Sequence, residues 1–240
     1  MNLIKINNLS KSYYSIYEET KVLDDISFEL NEGEHLGIIG PSGCGKSSLL
    51  NIISKLDKNY CGQIVYKNNL VIGYMFQQDL LFDHLSIFEN CILGLRIKKI
   101  LNKESIEYVN YLLKKYNLYK YKDNLPNQLS GGMRQRASLI RTLAIKPDVL
   151  LLDEAFSKLD YQTRINVRND VIRILNEEKK SFIMVTHDIE EALLLCDKII
   201  VLSKTPSKII NTYIVDKTKQ KEQYDLIWKD FSNWYHIKVI

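Results

Sequence analysis

Apolar positions along this chain follow two rhythms. Short, nearly unbroken apolar runs at residues 35–39, 71–76, 149–152, 182–185 and 199–202 have the length and composition of strands buried on both faces. Residues 3–6 and 22–30 predict two further short strands separated by a polar, tyrosine-rich loop. Between the runs lie segments of helical length: 46–55, 132–145 (closed by Pro147), 161–175 and 188–195. The last opens on Asp188-Ile189-Glu190-Glu191, a capping-box pattern. Over residues 104–116, Ile106, Val109, Leu112, Leu113 and Tyr116 recur at three- and four-residue spacing, which predicts an amphipathic helix starting at Asn102 or Lys103.

Strands alternating with helices imply a mainly parallel sheet covered by helices on both faces, an α/β fold, to which the expectation adds an N-terminal antiparallel β region. The helical stretch at 80–145 interrupts that alternation and predicts an inserted lobe. The expected organisation is one domain: a core of residues 1–79 and 146–205, the lobe 80–145, and a C-terminal tail, 206–240, with a short strand and a helix. No internal repeat is visible.

Composition narrows the class. The 240 residues are 45% hydrophobic and 26% charged, ordinary for a globular protein. A net charge of +4, spread along the chain, gives no expectation of a nucleic-acid partner. The longest apolar stretches fall far short of the ~20 residues of a membrane helix, and the first ten residues lack a signal peptide's apolar segment. Four cysteines without a C-x-x-C pair read as free thiols in a reducing compartment. The expected location is therefore cytoplasmic.

Two motifs carry chemistry. Gly40-Pro41-Ser42-Gly43-Cys44-Gly45-Lys46-Ser47 fits G-x-x-x-x-G-K-[ST] between a predicted strand and a predicted helix, the setting that the motif requires. Its glycines let the backbone curl around phosphates, Lys46 reaches the β- and γ-phosphates, and Ser47 offers a hydroxyl to Mg²⁺. A chance match in a glycine-containing turn would lack this strand–turn–helix context. Asp153 and Glu154 end the apolar run 149–152, where ligands of a parallel sheet collect. There Asp153 can hold Mg²⁺ and Glu154 can polarise an attacking water. Taken alone, a strand ending in polar residues would mean little. Gln77 and His187 also follow predicted strands, although a lone histidine is more often structural.

The segment Leu129-Ser130-Gly131-Gly132-Met133-Arg134-Gln135-Arg136 resembles the signature of the ABC ATPases. The resemblance covers nearly all of the chain to about residue 210 and implies a P-loop NTPase of RecA-like fold. It implies that Tyr13 stacks on adenine, that Gly40 through Ser48 bind ATP, and that Gln77 links Mg²⁺ to the lobe. It further implies that Glu154 is the catalytic base and that His187 steadies the γ-phosphate. Ser157-Lys158-Leu159-Asp160 looks like the loop crossing a dimer interface. Two subunits would bind two ATP head-to-tail, with Ser130, Gly131 and Gly132 of one chain facing the other's nucleotide. A helix cap at Ser130 is compatible with that role. Met133 stands where the family has Gln, and Ala155 where Pro often follows the base; neither removes a group essential to the chemistry.

Arg134-Gln135-Arg136, Thr163-Arg164-Ile165 and the stretches 185–192 and 201–206 look like the nitrate, sulfonate and taurine importer branch, to which thiamine-precursor importers also belong. That branch implies an integral membrane permease and, through it, an extracytoplasmic solute-binding protein, with this chain peripheral on the inner face of the membrane. The stretch after Gln77, including Phe82, His84, Leu85 and Phe88, holds several apolar residues that would suit a groove for the permease, the alternative being ordinary packing of the helical lobe. The chain ends too soon for the regulatory domain of many sugar-importer ATPases. The alternatives are an exporter ATPase, a soluble non-transport ABC ATPase, and a P-loop kinase or GTPase. The signature argues against a kinase, and no Asn-Lys-x-Asp motif for guanine is present.

Overall fold

Two 13-residue strands, β1 (Asn2–Tyr14) and β2 (Glu19–Asn31), run antiparallel where the sequence predicts only short strands flanking a loop. The computed structural model describes residues 1–155, 165, 168, 173, 177 and 180–232. The chain divides into two units, residues 1–70 with 181–240, and residues 71–180.

The first unit's β1 and β2 are long because bulges, not loops, absorb their irregular pattern. Register shifts occur between Ile6 and Leu9 and again before Lys11. Asn8 (φ 49°) and Asp25 (φ 57°) are left-handed there, a conformation that Asn and Asp tolerate. The side-chain amide of Asn8 donates to Asp25 at 2.7 Å. Each bulge turns the next apolar residue back inward, so Ile4, Ile6 and Leu9 are all buried without strict alternation. Residues 15–18 form the turn, closed by Ser15 N–H to the Glu18 carbonyl at 2.9 Å. A half-exposed strand, β4 (Cys61–Tyr66), pairs on the other edge of β1. It lacks an apolar run, which is why the sequence pattern does not announce it.

The same unit holds β3 (His35–Ile39), β7 (Ser181–Thr186) and β8 (Lys198–Leu202), parallel in the order β7-β3-β8. Leu36, Ile38, Ile183, Val185, Ile199 and Val201 are completely buried, as strands covered on both faces require. An antiparallel strand, β9 (Ile209–Ile214), closes the β8 edge.

Helix α1 (Lys46–Ile53) follows β3, and α5 (Ile189–Leu195) follows β7. Asp188 caps α5 by accepting from Glu191 N–H at 3.0 Å, but only half of the expected capping box forms. The Glu191 carboxylate accepts instead from the Thr186 hydroxyl at 2.6 Å. A last helix, α6 (Gln220–Ser232), packs through buried Ile227 and Phe231. Ahead of it, the Lys217 ammonium donates to the carbonyls of Leu193, Leu194 and Cys196 at 2.8, 3.0 and 3.1 Å. Those are carbonyls that the end of α5 leaves without intrahelical partners.

The second unit holds a parallel pair, β5 (Ile72–Met75) and β6 (Val149–Asp153), with helices α2 (Ile87–Ile97), α3 (Lys103–Lys115) and α4 (Gly131–Ala144). Capping boxes start α2 (Ser86 with Glu89) and α3 (Asn102 with Ser105). The predicted stripe on α3 buries Val109, Leu112 and Leu113, with Tyr116 just beyond the helix. Asn90, fully buried, donates to the carbonyls of Phe82, Leu85 and Ser86, which fixes the turn before α2. The helix expected at 161–175 falls outside the described residues except at 165, 168 and 173. Among the described residues no helix is long and apolar enough to cross a membrane. Cys44, Cys91 and Cys196 are buried, and Cys61 is exposed.

Lys217→Met removes the ammonium from the end of α5, while the Gln220 amide still donates to the Leu193 carbonyl at 3.2 Å. The expected cost is about 1 kcal/mol, read as a lower urea midpoint at unchanged slope, with Lys217→Arg keeping most of the stability. A wild-type midpoint would show that water replaces the ammonium without loss.

Candidate active site

Residues 40–45 connect β3 to α1, and most of their carbonyls have identified donors. The Lys46 ammonium, only 6% exposed, folds back on the Gly40 and Pro41 carbonyls at 2.8 and 3.0 Å. The Gly43 carbonyl accepts from the Thr205 hydroxyl at 2.9 Å, and the Cys44 carbonyl accepts from Ser207 Oγ. Gly45 takes φ 96°, and a Cβ there would lie 2.6 Å from Val22 Cγ1, so no other residue fits. At Gly40 a Cβ would meet Cys44 Sγ at 2.7 Å. Burial beneath the loop pushes the Cys44 thiol pKa up, against the opposing pull of the Lys46 charge. Pro41, Ser42 and Gly43 form the outer curve, with Cys44 N–H returning to the Pro41 carbonyl at 3.2 Å.

Ser47 and Ser48 lie in the first turn of α1. Tyr13, at the end of β1 and 44% exposed, donates its hydroxyl to Ser48 Oγ at 3.0 Å. The Lys11 ammonium lies 4.7 Å from the Tyr13 ring centroid, while buried Lys11 pairs with Asp57 at 2.8 Å. The tyrosine is thus anchored beside the phosphate loop with its ring partly open to solvent. His187, exposed, follows β7. Beside it Asp188 N–H donates to Thr186 Oγ1 at 3.1 Å, which joins Thr186, Asp188 and Glu191 in one circuit at the strand end.

In the second unit Asp153 ends β6, 7% exposed, and accepts from the Tyr74 hydroxyl at 3.2 Å. Burial, and then the Asp153 charge, drive the Tyr74 pKa well above the usual phenol range. Glu154 has φ 43°, a left-handed conformation unusual for a side-chain-bearing residue. Its carboxylate accepts from Gln77 Nε2 at 3.2 Å, so two candidate residues 77 positions apart meet. Ser130 is the N-cap of α4, with its hydroxyl accepting from Met133 N–H at 3.4 Å; Gly131 and Gly132 follow in the first turn. A cavity of about 500 Å³ brings Gln77, Asp79, Leu80, Gly131, Arg134 and Gln135 to one surface. Asp160 lies outside the described residues.

Sequence reasoning missed Ser207, and it noted Thr205 and Gln135 only within branch-like stretches, without a role. Thr205 and Ser207 hold a loop that lies 162 and 163 residues earlier in the chain. The Gln135 side chain donates to the Ala155 carbonyl.

Residues 23–157 match the family described as ABC transporter. The chain belongs to that family. As an ABC transporter ATP-binding protein it binds and hydrolyses ATP. It is 41% identical over 223 residues to an ABC transporter ATP-binding protein of Bacillus subtilis (strain 168), covering 90% of this chain and 86% of that one. It is 37% identical to the aliphatic sulfonates import ATP-binding protein SsuB of Bacillus cereus, with coverage of 86% and 83%. Its fold matches the dimeric, post-hydrolysis ATP-binding cassette MJ0796 bound to ADP and Pi at a TM-score of 0.77 and 30% identity, over 89% of this chain and 99% of that one. The expected P-loop NTPase fold, with its separate antiparallel N-terminal sheet, holds.

Gly45→Ala in this ABC ATPase forces a methyl into Val22 and a left-handed backbone onto alanine. Nucleotide affinity, measured with a fluorescent ATP analogue, should fall by at least about tenfold. Binding within twofold of wild type would show that the loop tolerates the group.

Proposed function

We propose that this chain powers an importer for a small anionic or nitrogen- or sulfur-containing solute, of the sulfonate, taurine, nitrate or thiamine-precursor kind. Its dimer would sit on the inner face of the cell membrane, under an integral permease fed by an extracytoplasmic solute-binding protein. The importer names of its relatives support this reading; one of them is the taurine import ATP-binding protein of Roseobacter denitrificans, 36% identical over 220 residues.

The chemistry follows from the assigned residues. Tyr13 would stack on adenine while the loop from Gly40 to Ser48 holds the phosphates, with Lys46 moving from its carbonyl partners to the β- and γ-phosphates. Ser130, Gly131 and Gly132 of the partner would complete the enclosure at a helix N-terminus. The contact that carries the catalytic assignment is the 3.2 Å bond from Gln77 to Glu154. It fixes a carboxylate at the end of β6 that can take the proton from the attacking water, as the water oxygen bonds to the γ-phosphorus and the β–γ bridge breaks. His187 would donate to the γ-phosphate oxygens, and Asp160 would belong to the interface loop.

Ser47, Gln77 and Asp153 offer only oxygen donors, the set that suits Mg²⁺. Mg²⁺ bound there would neutralise charge on the β- and γ-phosphates.

Two measurements test these assignments. Glu154→Gln should abolish hydrolysis yet bind ATP and accumulate as nucleotide-locked dimers on a sizing column; normal turnover would refute the base. A mild-detergent pull-down of the tagged protein from its native host should recover a polytopic membrane protein and a solute-binding protein. Recovering only soluble partners would keep the ATPase and overturn transport.

A further inference from the structure

Side chains of α4 beyond its first turn reach back to both segments that carry the Gln77–Glu154 pair. Arg134 donates through Nε to Asp79 at 3.0 Å and through its guanidinium to the Leu129 carbonyl at 2.9 Å. Two turns further on, Arg141 bridges successive carbonyls, Asp79 at 2.7 Å and Leu80 at 2.6 Å. Its guanidinium is desolvated enough to pull its pKa down. Between them Gln135, 5% exposed, donates to the carbonyl of Ala155, 3% exposed. The segments so held contain two left-handed non-glycine residues, Leu80 (φ 45°) and Glu154 (φ 43°). Such conformations persist only where their surroundings enforce them. One helix therefore braces the segment after Gln77 on one side and the residue after Glu154 on the other.

We propose that Gln135, assisted by Arg134 and Arg141, is a positioning residue that ties the Gln77–Glu154 pair to the helix start at Ser130. The partner's nucleotide, seated at Ser130–Gly132, then sets the geometry of this chain's own base. The inference rests on the assignment of Glu154 as base and of Ser130–Gly132 as the seat for the partner's ATP. Gln135 lies one turn, about 6 Å along the axis, beyond Gly131. A shift of the helix start is delivered to the Ala155 carbonyl through a single buried amide. Each chain would thus couple the nucleotide that its signature touches to the nucleotide that its base attacks.

The test is the ATP dependence of hydrolysis by the full-length dimer, with ATP-driven dimerisation followed in the Glu154→Gln background. Wild type should be cooperative, with a Hill coefficient approaching about 2. Gln135→Met keeps the volume and loses the donor. It should still dimerise with ATP, while kcat falls by about tenfold to a hundredfold and the Hill coefficient drops to about 1. Arg141→Lys, unable to bridge two carbonyls, should flatten the curve in the same way and serves if Gln135→Met does not fold. A lower kcat with unchanged cooperativity would reduce these residues to packing and overturn the proposal, as would a non-cooperative wild type. Failure of the underlying assignment reads differently, because Glu154→Gln would then keep hydrolysing ATP whatever Gln135→Met does.

Discussion

A backbone loop that must turn its N–H groups toward an anion has to place its carbonyls elsewhere, and that constraint organises the first unit. The Gly40 and Pro41 carbonyls take the Lys46 ammonium, the Gly43 and Cys44 carbonyls take hydroxyls from residues 205 and 207, and the Gly45 carbonyl takes the amide of Leu49 within α1. Buried carbonyls left without donors would each cost on the order of 1–3 kcal/mol, so the loop's shape depends on these partners as much as on its glycines. It also explains why Lys46, a charged residue, is tolerated in a buried position. Its ammonium is satisfied by the dipoles of the Gly40 and Pro41 carbonyls.

The second unit meets a different demand, holding a carboxylate in a backbone conformation that does not hold itself. Strand β6 brings Asp153 and Glu154 to its end, and the left-handed turn at Glu154 stops the strand there. The restraint comes from α4, which starts at the Ser-Gly-Gly segment. A helix suits this task because its own hydrogen bonds make it stiff and its side chains at four- and seven-residue spacing share a face.

Elements whose burial is two-sided or cleanly periodic were legible in the sequence. The runs at 149–152, 182–185 and 199–202 and the α3 stripe are observed within one or two residues of their expected bounds. The misses share a cause. β4 is a half-exposed edge strand without an apolar run, and the bulges at Asn8 and Leu9 break the alternation that would have marked β1 as long. At the capping site, Glu191 was legible as a box partner, yet Thr186 competes for its carboxylate. The motif residues of the phosphate loop announce themselves by spacing. Their supports, Thr205, Ser207, Gln135 and Arg141, act through backbone carbonyls, which exist at every residue and leave no mark in sequence.

The uneven burial of the cysteines has a practical corollary. Cys44, Cys91 and Cys196 lie inside the protein, with burial pushing the Cys91 thiol up to about 12, whereas Cys61 stands on the exposed face of β4. Maleimide chemistry needs an accessible thiolate. The native chain therefore carries a single addressable anchor for a spin label or fluorophore. Placed there once per subunit, a matched pair of labels would test the proposed closure of a dimer as a distance, with no engineered cysteine and no disturbance of the phosphate loop.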